Sequence, residues 1–244
     1  MIKKIVDRLQ NKKSSLPIEK QYHDLEEVFF KLYHQCKPYT MLSVERLYAN
    51  YKAVEYVCKN KIEGSIVECG VWKGGSMMLM IETLKLHGDT RRLYLYDTFA
   101  GMPQPDEVDK KASGIRAFEK WLAHQRQGYN EWCYSSLDEV KNNIAITGYN
   151  PELVHYIEGK VEETIPAVLP DKIAVLRLDT DWYSSTRHEL EYLFPQLTTG
   201  GVLIIDDYGS WQGARKAVDE FMEKYQIKML LSRIDNTGRI GIKM

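Results

Sequence analysis

Cysteine is scarce in this sequence and is never arranged in a short motif. The 244 residues contain four cysteines, at positions 36, 58, 69 and 133, and no CxxC pair occurs among them. Zinc sites and disulfide frameworks use closely spaced cysteines, so this spacing argues against both and is typical of a reducing compartment. We therefore expect a cytoplasmic protein.

An excess of charge and a long apolar run are also missing. Lys and Arg total 33 against 34 for Asp and Glu, which leaves a formal net charge of -1. A nucleic-acid partner normally requires a basic excess, and a membrane span requires about 18 or more consecutive apolar residues. The sequence has neither feature, so we expect no nucleic-acid partner and no membrane association.

Several catalytic signatures are absent as well. The chain has no GxGxxG dinucleotide loop, no HExxH zinc motif and no GxSxG nucleophile elbow. These absences argue against a nicotinamide dehydrogenase, a zinc protease and a serine hydrolase of the common kinds.

What the sequence does contain is an alternation of short apolar runs with helical periodicity. The pattern predicts an α/β fold with an open, mostly parallel seven-stranded sheet, helices on both faces and an antiparallel C-terminal hairpin. The predicted strands are residues 65–71, 92–97, 154–158, 173–179, 201–206, 228–234 and 239–244.

The N-terminal part lacks the alternation of strands and helices and has helical periodicity instead. We expect residues 1–60 to form a helical extension or lid and residues 61–244 to form the ligand-binding domain. Within the extension, the polar segment 1–20 is predicted as a mobile arm or a late-docking short helix, and 22–60 as helical. Thr40 or Ser43 is the expected cap of the main helix.

Two capping boxes and one insertion complete the local predictions. Ser136 to Glu139 and Thr186 to Glu189 each fit the pattern that opens a helix. Residues 100–135 are rich in loop formers and are interpreted as an insertion that carries one short helix near 118–122.

Ligands of open α/β sheets bind beyond the carboxyl ends of the strands, and the first strand ends there in the loop ExGxxxGGS, residues 68–76. Gly70 permits a tight exit from the strand, and the helix start at Ser76 favours a carboxylate. Glu68 favours an ammonium group, so an amino acid zwitterion such as the methionine end of S-adenosylmethionine fits this loop. Asp97, at the next strand tip, suits a ribose diol. The alternative is a purely structural βα turn.

The fourth and fifth strands end in more carboxylates. Asp179, Asp206 and Asp207 are expected at neighbouring strand tips, roughly 5 Å apart, where a hard dication such as Mg²⁺ relieves their repulsion. Asp181 lies two residues beyond Asp179 and is the candidate general base for a metal-bound hydroxyl. The alternative is that each of these acids caps a helix or a turn.

Aromatic residues flank the same predicted cleft. Their rings suit an adenine or a planar acceptor, although core packing explains any one of them equally well. They are Trp72, Trp182, Tyr183, Tyr208 and Trp211.

Five blocks of the sequence occur together in a characteristic order. The blocks are residues 39–47, 66–76, 97–103, 176–186 and 200–209. Together they resemble the macrocin O-methyltransferase family, which methylates sugar hydroxyls. The resemblance covers roughly residues 38–244 and implies a class I methyltransferase fold with S-adenosylmethionine and Mg²⁺ as cofactors.

The resemblance also implies roles for residues. It assigns Asp179, Asp206 and Asp207 to the metal and Asp181 to proton removal, and it makes the segment from Thr40 to Ser43 close over the cofactor. The predicted cofactor-binding residues are Thr40, Met41, Ser43, Glu68, Gly70, Trp72, Gly75, Ser76, Asp97, Thr98, Glu158, Gly159 and Asp179.

The acceptor is predicted only as a class, a small hydroxylated molecule such as a sugar, because residues 104–135 and the C-terminal 239–244 depart from the family pattern. Three alternatives stay open: a metal-dependent methyltransferase for catechol-like phenols, a glycosyltransferase that uses Asp179-Thr-Asp181 as a metal–diphosphate motif, and a non-catalytic S-adenosylmethionine-binding module. By the same resemblance we expect a homo-oligomer.

Overall fold

The structure is a computed structural model that describes residues 16–244, and the first fifteen residues of the predicted arm lie outside this range. The seven strands are β1 (Ser65–Cys69), β2 (Leu93–Asp97), β3 (Val154–Glu158), β4 (Ile173–Leu178), β5 (Leu197–Ile205), β6 (Ser232–Arg233) and β7 (Arg239–Ile242). The α-helices are α1 (Ile18–Gln21), α2 (Glu27–Cys36), α3 (Val44–Lys59), α4 (Gly75–Leu86), α5 (Phe118–Ala123), α6 (Leu137–Ala145), α7 (Val161–Thr164), α8 (Tyr183–Leu193) and α9 (Gln212–Lys224).

The seven strands form one sheet in the order β3-β2-β1-β4-β5-β7-β6. Strands β1 to β5 run parallel, whereas β7 is antiparallel to both β5 and β6. The predicted seven-stranded α/β sheet with a C-terminal antiparallel hairpin is therefore confirmed. The chain moves outward on one side from β1 to β3 and returns to the other side of β1 as β4, which makes the β1/β4 boundary the topological switch point.

The sheet is buried on both faces. Every residue of β4 is buried, which explains why its sequence reads as a nearly continuous apolar run. One hydrophobic cluster covers the face beneath α2, α3 and α4, and a second covers the face beneath α8 and α9. The N-terminal helices α2 and α3 contribute fully buried residues to the first cluster, among them Phe29, Leu47 and Val54.

The predicted helical stretch 22–60 is divided in two. Helix α2 ends at Cys36, and a single 3-10 turn, Lys37–Tyr39, contains Pro38, which cannot donate a backbone N–H to continue the helix. Residues 40–43 then lead to the start of α3 without regular secondary structure, with Thr40 and Ser43 in the extended conformation. Of the helices within residues 16–244, none is long and apolar enough to cross a membrane.

Two predicted helix caps are confirmed and one is wrong. The hydroxyls of Ser43 and Ser136 accept backbone N–H groups at the starts of α3 and α6. Thr186 does not cap a helix, because α8 already begins at Tyr183. The Tyr183 N–H donates to the carboxylate of Asp109, 2.9 Å away in the 100–135 insertion. A cap supplied from 74 residues upstream thus moves the helix start, which no local pattern reveals.

Candidate active site

A cavity of about 340 Å³ opens at the carboxyl ends of the parallel strands, beside the switch point. Its walls come from the loop after β1, the tips of β2, β4 and β5, residues 40–42, and the insertion. Most of the predicted site residues line it: Thr40, Met41, Glu68, Gly70, Trp72, Ser76, Asp97, Thr98, Gly159, Asp179, Asp181, Asp206 and Asp207.

Three residues predicted to bind the cofactor do not line this cavity. Ser43 caps α3 and donates a 3.1 Å hydrogen bond to Asp235. Gly75 lies under the N-terminal segment, where a Cβ atom would approach the Tyr39 carbonyl to 2.6 Å. Glu158 is exposed at the end of β3. The close approach at Gly75 therefore serves packing of the backbone against residues 36–39.

Gly70 allows the two central strands to meet at the cavity. Its φ of +82° lies in the left-handed region, and a Cβ atom there would lie 2.0 Å from the Asp179 carbonyl oxygen. Across the same junction, the Asp179 N–H donates to the Cys69 carbonyl at 2.8 Å. Glycine at position 70 thus brings the first loop into contact with the residue that begins the carboxylate cluster.

Asp97 organises the loop after β1. One carboxylate oxygen accepts the N–H groups of Val71 and Trp72 at 2.6 and 3.1 Å, and the other accepts the Phe99 N–H at 2.8 Å. Burial raises the pKa of Asp97, whereas these N–H donors oppose that rise. The acid predicted for a ribose therefore also fixes the shape of the loop beside it.

Glu68 is a buried acceptor with one free oxygen. The residue is fully buried and its Oε1 accepts a hydrogen bond from Arg177 at 2.8 Å. Its Oε2 has no hydrogen-bond partner among residues 16–244. Burial raises the pKa of Glu68. A buried acceptor without a donor is costly, so an ammonium group in the cavity fits this position.

Asp179, Asp206 and Asp207 come together as predicted. Each offers a carboxylate oxygen, and the three atoms lie within 4.8 Å of one another. The parallel pairing of β4 with β5 creates this proximity, because Leu178 is in register with Ile205 just before the acids. Three hard oxygen donors at this spacing fit a divalent cation such as Mg²⁺.

Two arginines that sequence reasoning missed contact this cluster. The Arg177 guanidinium donates to Asp179 at 2.8 Å and to Asp206 at 2.6 Å, in addition to its bond with Glu68. Arg46, on α3, pairs with Asp206 as well and lies 3.0 Å from a carboxylate oxygen of Asp235.

The charges at this end of the cavity do not balance. Two guanidinium groups face five carboxylates, those of Glu68, Asp179, Asp181, Asp206 and Asp207, and Arg46 also pairs with Asp235, so negative charge is in excess when all are ionised. A bound divalent cation would lower this excess, which adds to the argument from oxygen donors that the residues fit a metal.

Asp181 faces the same cluster from a strained backbone. Its φ is +66°, and its N–H donates to Asp207 at 3.2 Å. Burial, followed by the negative charges of Asp179 and Asp206, raises the pKa of Asp181 to about 7. Trp72 and Cys133, which also line the cavity, likewise have positive φ. Backbone strain of this kind concentrates at functional sites.

The insertion forms the opposite wall. Trp132 packs against Trp182 and Trp211, with ring centroids 5.6 and 5.9 Å away, and Trp182 and Trp211 lie 5.0 Å apart. The indole N–H of Trp182 donates to Pro103 at 3.0 Å. Of the predicted aromatic residues, Trp72 and Trp211 line the cavity, whereas Trp182 supports the wall from beneath.

The residues that sequence reasoning missed differ in whether the sequence carries a signal for them. Arg177 interrupts the apolar run of β4, and a charge inside a strand buried on both faces is a readable signal of a paired, functional side chain. Arg46 and Trp132 gave no such signal, because their relation to the cavity depends on contacts with distant segments.

Comparison with known proteins agrees with this geometry. The family model for macrocin O-methyltransferases matches residues 4–240. A Streptomyces olivaceus 8-demethyl-8-(2,3-dimethoxy-alpha-L-rhamnosyl)-tetracenomycin-C 4'-O-methyltransferase is 36% identical over 201 residues, which cover 82% of this chain and 74% of the relative. A Streptomyces niveus demethyldecarbamoylnovobiocin O-methyltransferase is 34% identical with the same coverage. The solved O-methyltransferase NovP superposes with a TM-score of 0.73 at 33% identity, over 84% of this chain and 82% of NovP.

Proposed function

Since the chain belongs to the macrocin O-methyltransferase family, we propose that it transfers a methyl group from S-adenosylmethionine to a hydroxyl of a sugar or sugar-containing small molecule, with the help of Mg²⁺. The observation that carries the proposal is that one cavity is lined by both the loop after β1 and the carboxylate cluster. A methyl donor held by the loop and a hydroxyl held at the cluster would then lie in the same cavity.

The cofactor half of the cavity is built from the loop after β1. The free oxygen of Glu68 binds the ammonium group of the methionine moiety. Ser76, in the first turn of α4, lines the cavity, and this helix start would stabilise the carboxylate of the same moiety. Asp97 and Thr98 line the side towards β2, in position for the ribose. Thr40 and Met41 cover this half from the N-terminal segment, which supports the role of that segment as a lid.

In the catalytic half, Asp179, Asp206 and Asp207 would hold the metal, which supplies a Lewis acid that lowers the pKa of an acceptor hydroxyl when bound. Asp181 accepts the hydroxyl proton on its carboxylate. Arg177 holds Asp179 and Asp206 in place through its two donated bonds.

The choice of a sugar rests on the relatives. The tetracenomycin enzyme is named for the 4'-hydroxyl of a rhamnosyl group, and a third relative, from Micromonospora griseorubida, is a mycinamicin III 3''-O-methyltransferase, 30% identical over 203 residues. The cavity wall formed by Trp132 and Trp211 offers flat apolar surface for a sugar ring. The same surface suits a planar phenol, so a catechol-type acceptor is the second candidate.

Calorimetric titration with S-adenosylhomocysteine tests the proposal, with and without Mg²⁺. We expect tight binding of S-adenosylhomocysteine and a separate Mg²⁺ heat signal that is lost in the Asp179→Ala variant. The matched control is Asp171→Ala, an exposed acid before β4 that does not line the cavity. Absence of S-adenosylhomocysteine binding under every condition would overturn the proposal and favour the glycosyltransferase alternative.

The acceptor is then identified by a panel. Sugars and catechols are incubated with labelled S-adenosylmethionine and Mg²⁺, and transfer of the labelled methyl group is measured. Turnover of glycosides but not of catechols supports the proposal, and the reverse supports the second candidate. Binding of the cofactor without metal dependence and without turnover of any acceptor would instead favour a non-catalytic binding module.

A further inference from the structure

The insertion differs in charge from the rest of the cavity lining. The insertion, residues 100–135, contributes only two charged side chains to the lining, and both are lysines, Lys111 and Lys120. Outside the insertion, the lining has seven acids and three basic residues. The acids are Glu68, Asp97, Glu162, Asp179, Asp181, Asp206 and Asp207, and the basic residues are Arg46, Lys160 and Arg177. The cavity therefore has a floor at the sheet with an excess of acids, the negative floor, and a positive rim at the insertion.

The backbone at Lys111 is held by hydrogen bonds. Its N–H donates to the Ile115 carbonyl at 2.8 Å, and the Gln212 side chain donates to its carbonyl at 3.1 Å. Residue 111 also forms an isolated antiparallel bridge with Trp211, which lines the same wall. The main chain of this loop is thus tied to the start of α9, so Lys111 is held at the rim.

Lys120 is positioned in a comparable way. Its ammonium lies 3.9 Å from the centroid of the Trp132 ring, a cation–π contact on the cavity wall. Helix α5, which carries Lys120, is anchored because the Trp121 indole donates to the Met102 carbonyl at 3.0 Å and Asn130 donates to the Trp121 carbonyl at 2.8 Å.

Neither lysine has an acidic partner. Within residues 16–244, no carboxylate lies within 4.0 Å of the Lys111 or Lys120 ammonium, although the nearby Arg116 pairs with Glu119 at 2.9 Å. A neutral sugar is recognised by hydrogen bonds and apolar contacts, which do not require two cations. Two cations on one wall are instead complementary to an anion, which would form charge-assisted hydrogen bonds with both.

We propose that the acceptor carries an anionic group, a phosphate ester, a diphosphate or a carboxylate, which Lys111 and Lys120 bind at the rim. This inference rests on the proposed function and names the substrate class of the same site. The negative floor repels the anionic group while the lysines attract it, so the acceptor enters with its hydroxyl towards Asp181. Lys111 and Lys120 are therefore specificity-determining residues that orient the acceptor.

The test compares matched neutral and anionic probes. Protein loaded with S-adenosylhomocysteine is titrated with methyl glucoside, glucose 1-phosphate, glucuronic acid and UDP-glucose, followed by saturation-transfer NMR. We expect at least one anionic probe to bind at least tenfold more tightly than methyl glucoside, and its affinity to fall several-fold between about 50 and 200 mM salt because the contacts are ionic. The anionic probe that binds best distinguishes a phosphate ester, a diphosphate and a carboxylate.

Variants assign the effect to the two lysines. Lys111→Gln and Lys120→Gln should each weaken binding of the best anionic probe about tenfold, and the double variant should remove the preference for anionic probes. Lys111→Arg and Lys120→Arg should keep it. Lys110→Gln is the matched control, because Lys110 precedes Lys111 but does not line the cavity.

The outcomes separate this inference from the proposed function. Binding of S-adenosylhomocysteine is measured for every variant and should not change. If it binds but anionic probes show no advantage, including the case in which no probe binds, or if the double variant keeps the preference, the inference is wrong and the methyltransferase proposal stands. If S-adenosylhomocysteine itself does not bind, it is the proposed function that fails.

Discussion

The two walls of the cavity are built in different ways. The sheet wall consists of strand tips whose spacing is set by backbone ladders, so Gly70, Asp179 and Asp206 are fixed by the pairing of β1, β4 and β5. The insertion wall has one short helix and is held by isolated long-range hydrogen bonds, such as those that Tyr183 donates to Asp109 and Trp182 donates to Pro103. Under the proposed function, the groups that require exact spacing lie on the sheet, and the loops form the surface proposed for the acceptor.

The largest expected effect concerns the sheet wall. Asp181→Asn should lower turnover by about 10²–10⁴-fold, because the amide cannot accept the hydroxyl proton. Affinity for S-adenosylhomocysteine should stay nearly unchanged, since Asp181 is not among the residues placed at the cofactor. Labelled methyl transfer and calorimetry measure the two quantities. The control is Asp171→Asn, and full activity of Asp181→Asn would remove this residue from the mechanism.

Arg177→Met should give the largest loss of stability. The substitution removes a fully buried cation and leaves the carboxylates of Glu68, Asp179 and Asp206 without their common partner. Loss of one member of a buried ion pair costs about 3–5 kcal/mol, so we expect the free energy of unfolding to fall by that amount. Denaturant unfolding at pH 7 measures it.

Arg187→Met on the exposed surface of α8 is the matched control and should be nearly neutral. If Arg177→Met were as stable as this control, the acids of the cluster would have to be neutral in the folded protein. The sheet wall would then carry little negative charge, and the two walls would not differ in charge as described above.

The sheet wall was predictable from sequence and the insertion wall was not. An apolar run followed by an acid marks a strand tip, and neighbouring parallel tips meet at one edge, which is why Asp179, Asp206 and Asp207 were predicted together. The insertion has no hydrophobic periodicity, so its hydrogen bonds to α8 could not be predicted from the sequence. The wrong cap at Thr186 has the same cause, because its pattern is local whereas the true cap comes from Asp109.

The pH dependence of stability tests whether the carboxylates of the sheet wall are charged in the folded protein. Unfolded Asp has a pKa of about 3.9, whereas burial raises that of Asp181 to about 7 in the folded protein. Below both values the carboxyl is protonated in either state. Between them Asp181 binds more protons in the folded state than in the unfolded state, so its contribution to the stability of the metal-free protein falls as pH rises from about 4 to 7.

Thermal unfolding at pH 5 and pH 8 measures this effect. We expect a lower melting temperature at pH 8 without metal and a recovery on addition of Mg²⁺, because the cation binds the ionised cluster of the folded state. The Mg²⁺ effect should be small at pH 5 and absent in Asp179→Ala at both pH values. A melting temperature independent of pH and Mg²⁺ would contradict a metal at this cluster.

On the insertion wall, Asp109→Ala should have a smaller effect on stability, about 1–2 kcal/mol, because it removes a buried acceptor for the Tyr183 N–H and the Asp106 N–H. The insertion loses an anchor to α8, so KM for the acceptor should rise while S-adenosylhomocysteine affinity stays constant. Asp106→Ala, an exposed neighbour, is the control. A change in cofactor affinity would show that the two walls are not independent.

The smallest expected effects come from two helix caps. Ser136→Ala should cost about 1 kcal/mol through loss of the bond to the Glu139 N–H, and Ser43→Ala should cost slightly more because Ser43 also donates to Asp235. Denaturant unfolding measures both.

The two substitutions should also differ in their effect on the affinity for S-adenosylhomocysteine. Asp235 lies 3.0 Å from Arg46, which pairs with Asp206, and Ser43 directly follows the segment 40–42 that lines the cavity. Ser43→Ala should therefore weaken S-adenosylhomocysteine binding several-fold, whereas Ser136→Ala, of similar stability, should leave it unchanged. Equal affinities in the two variants would mean that residues 40–42 do not act as a lid, and that the cofactor is held by the sheet wall alone.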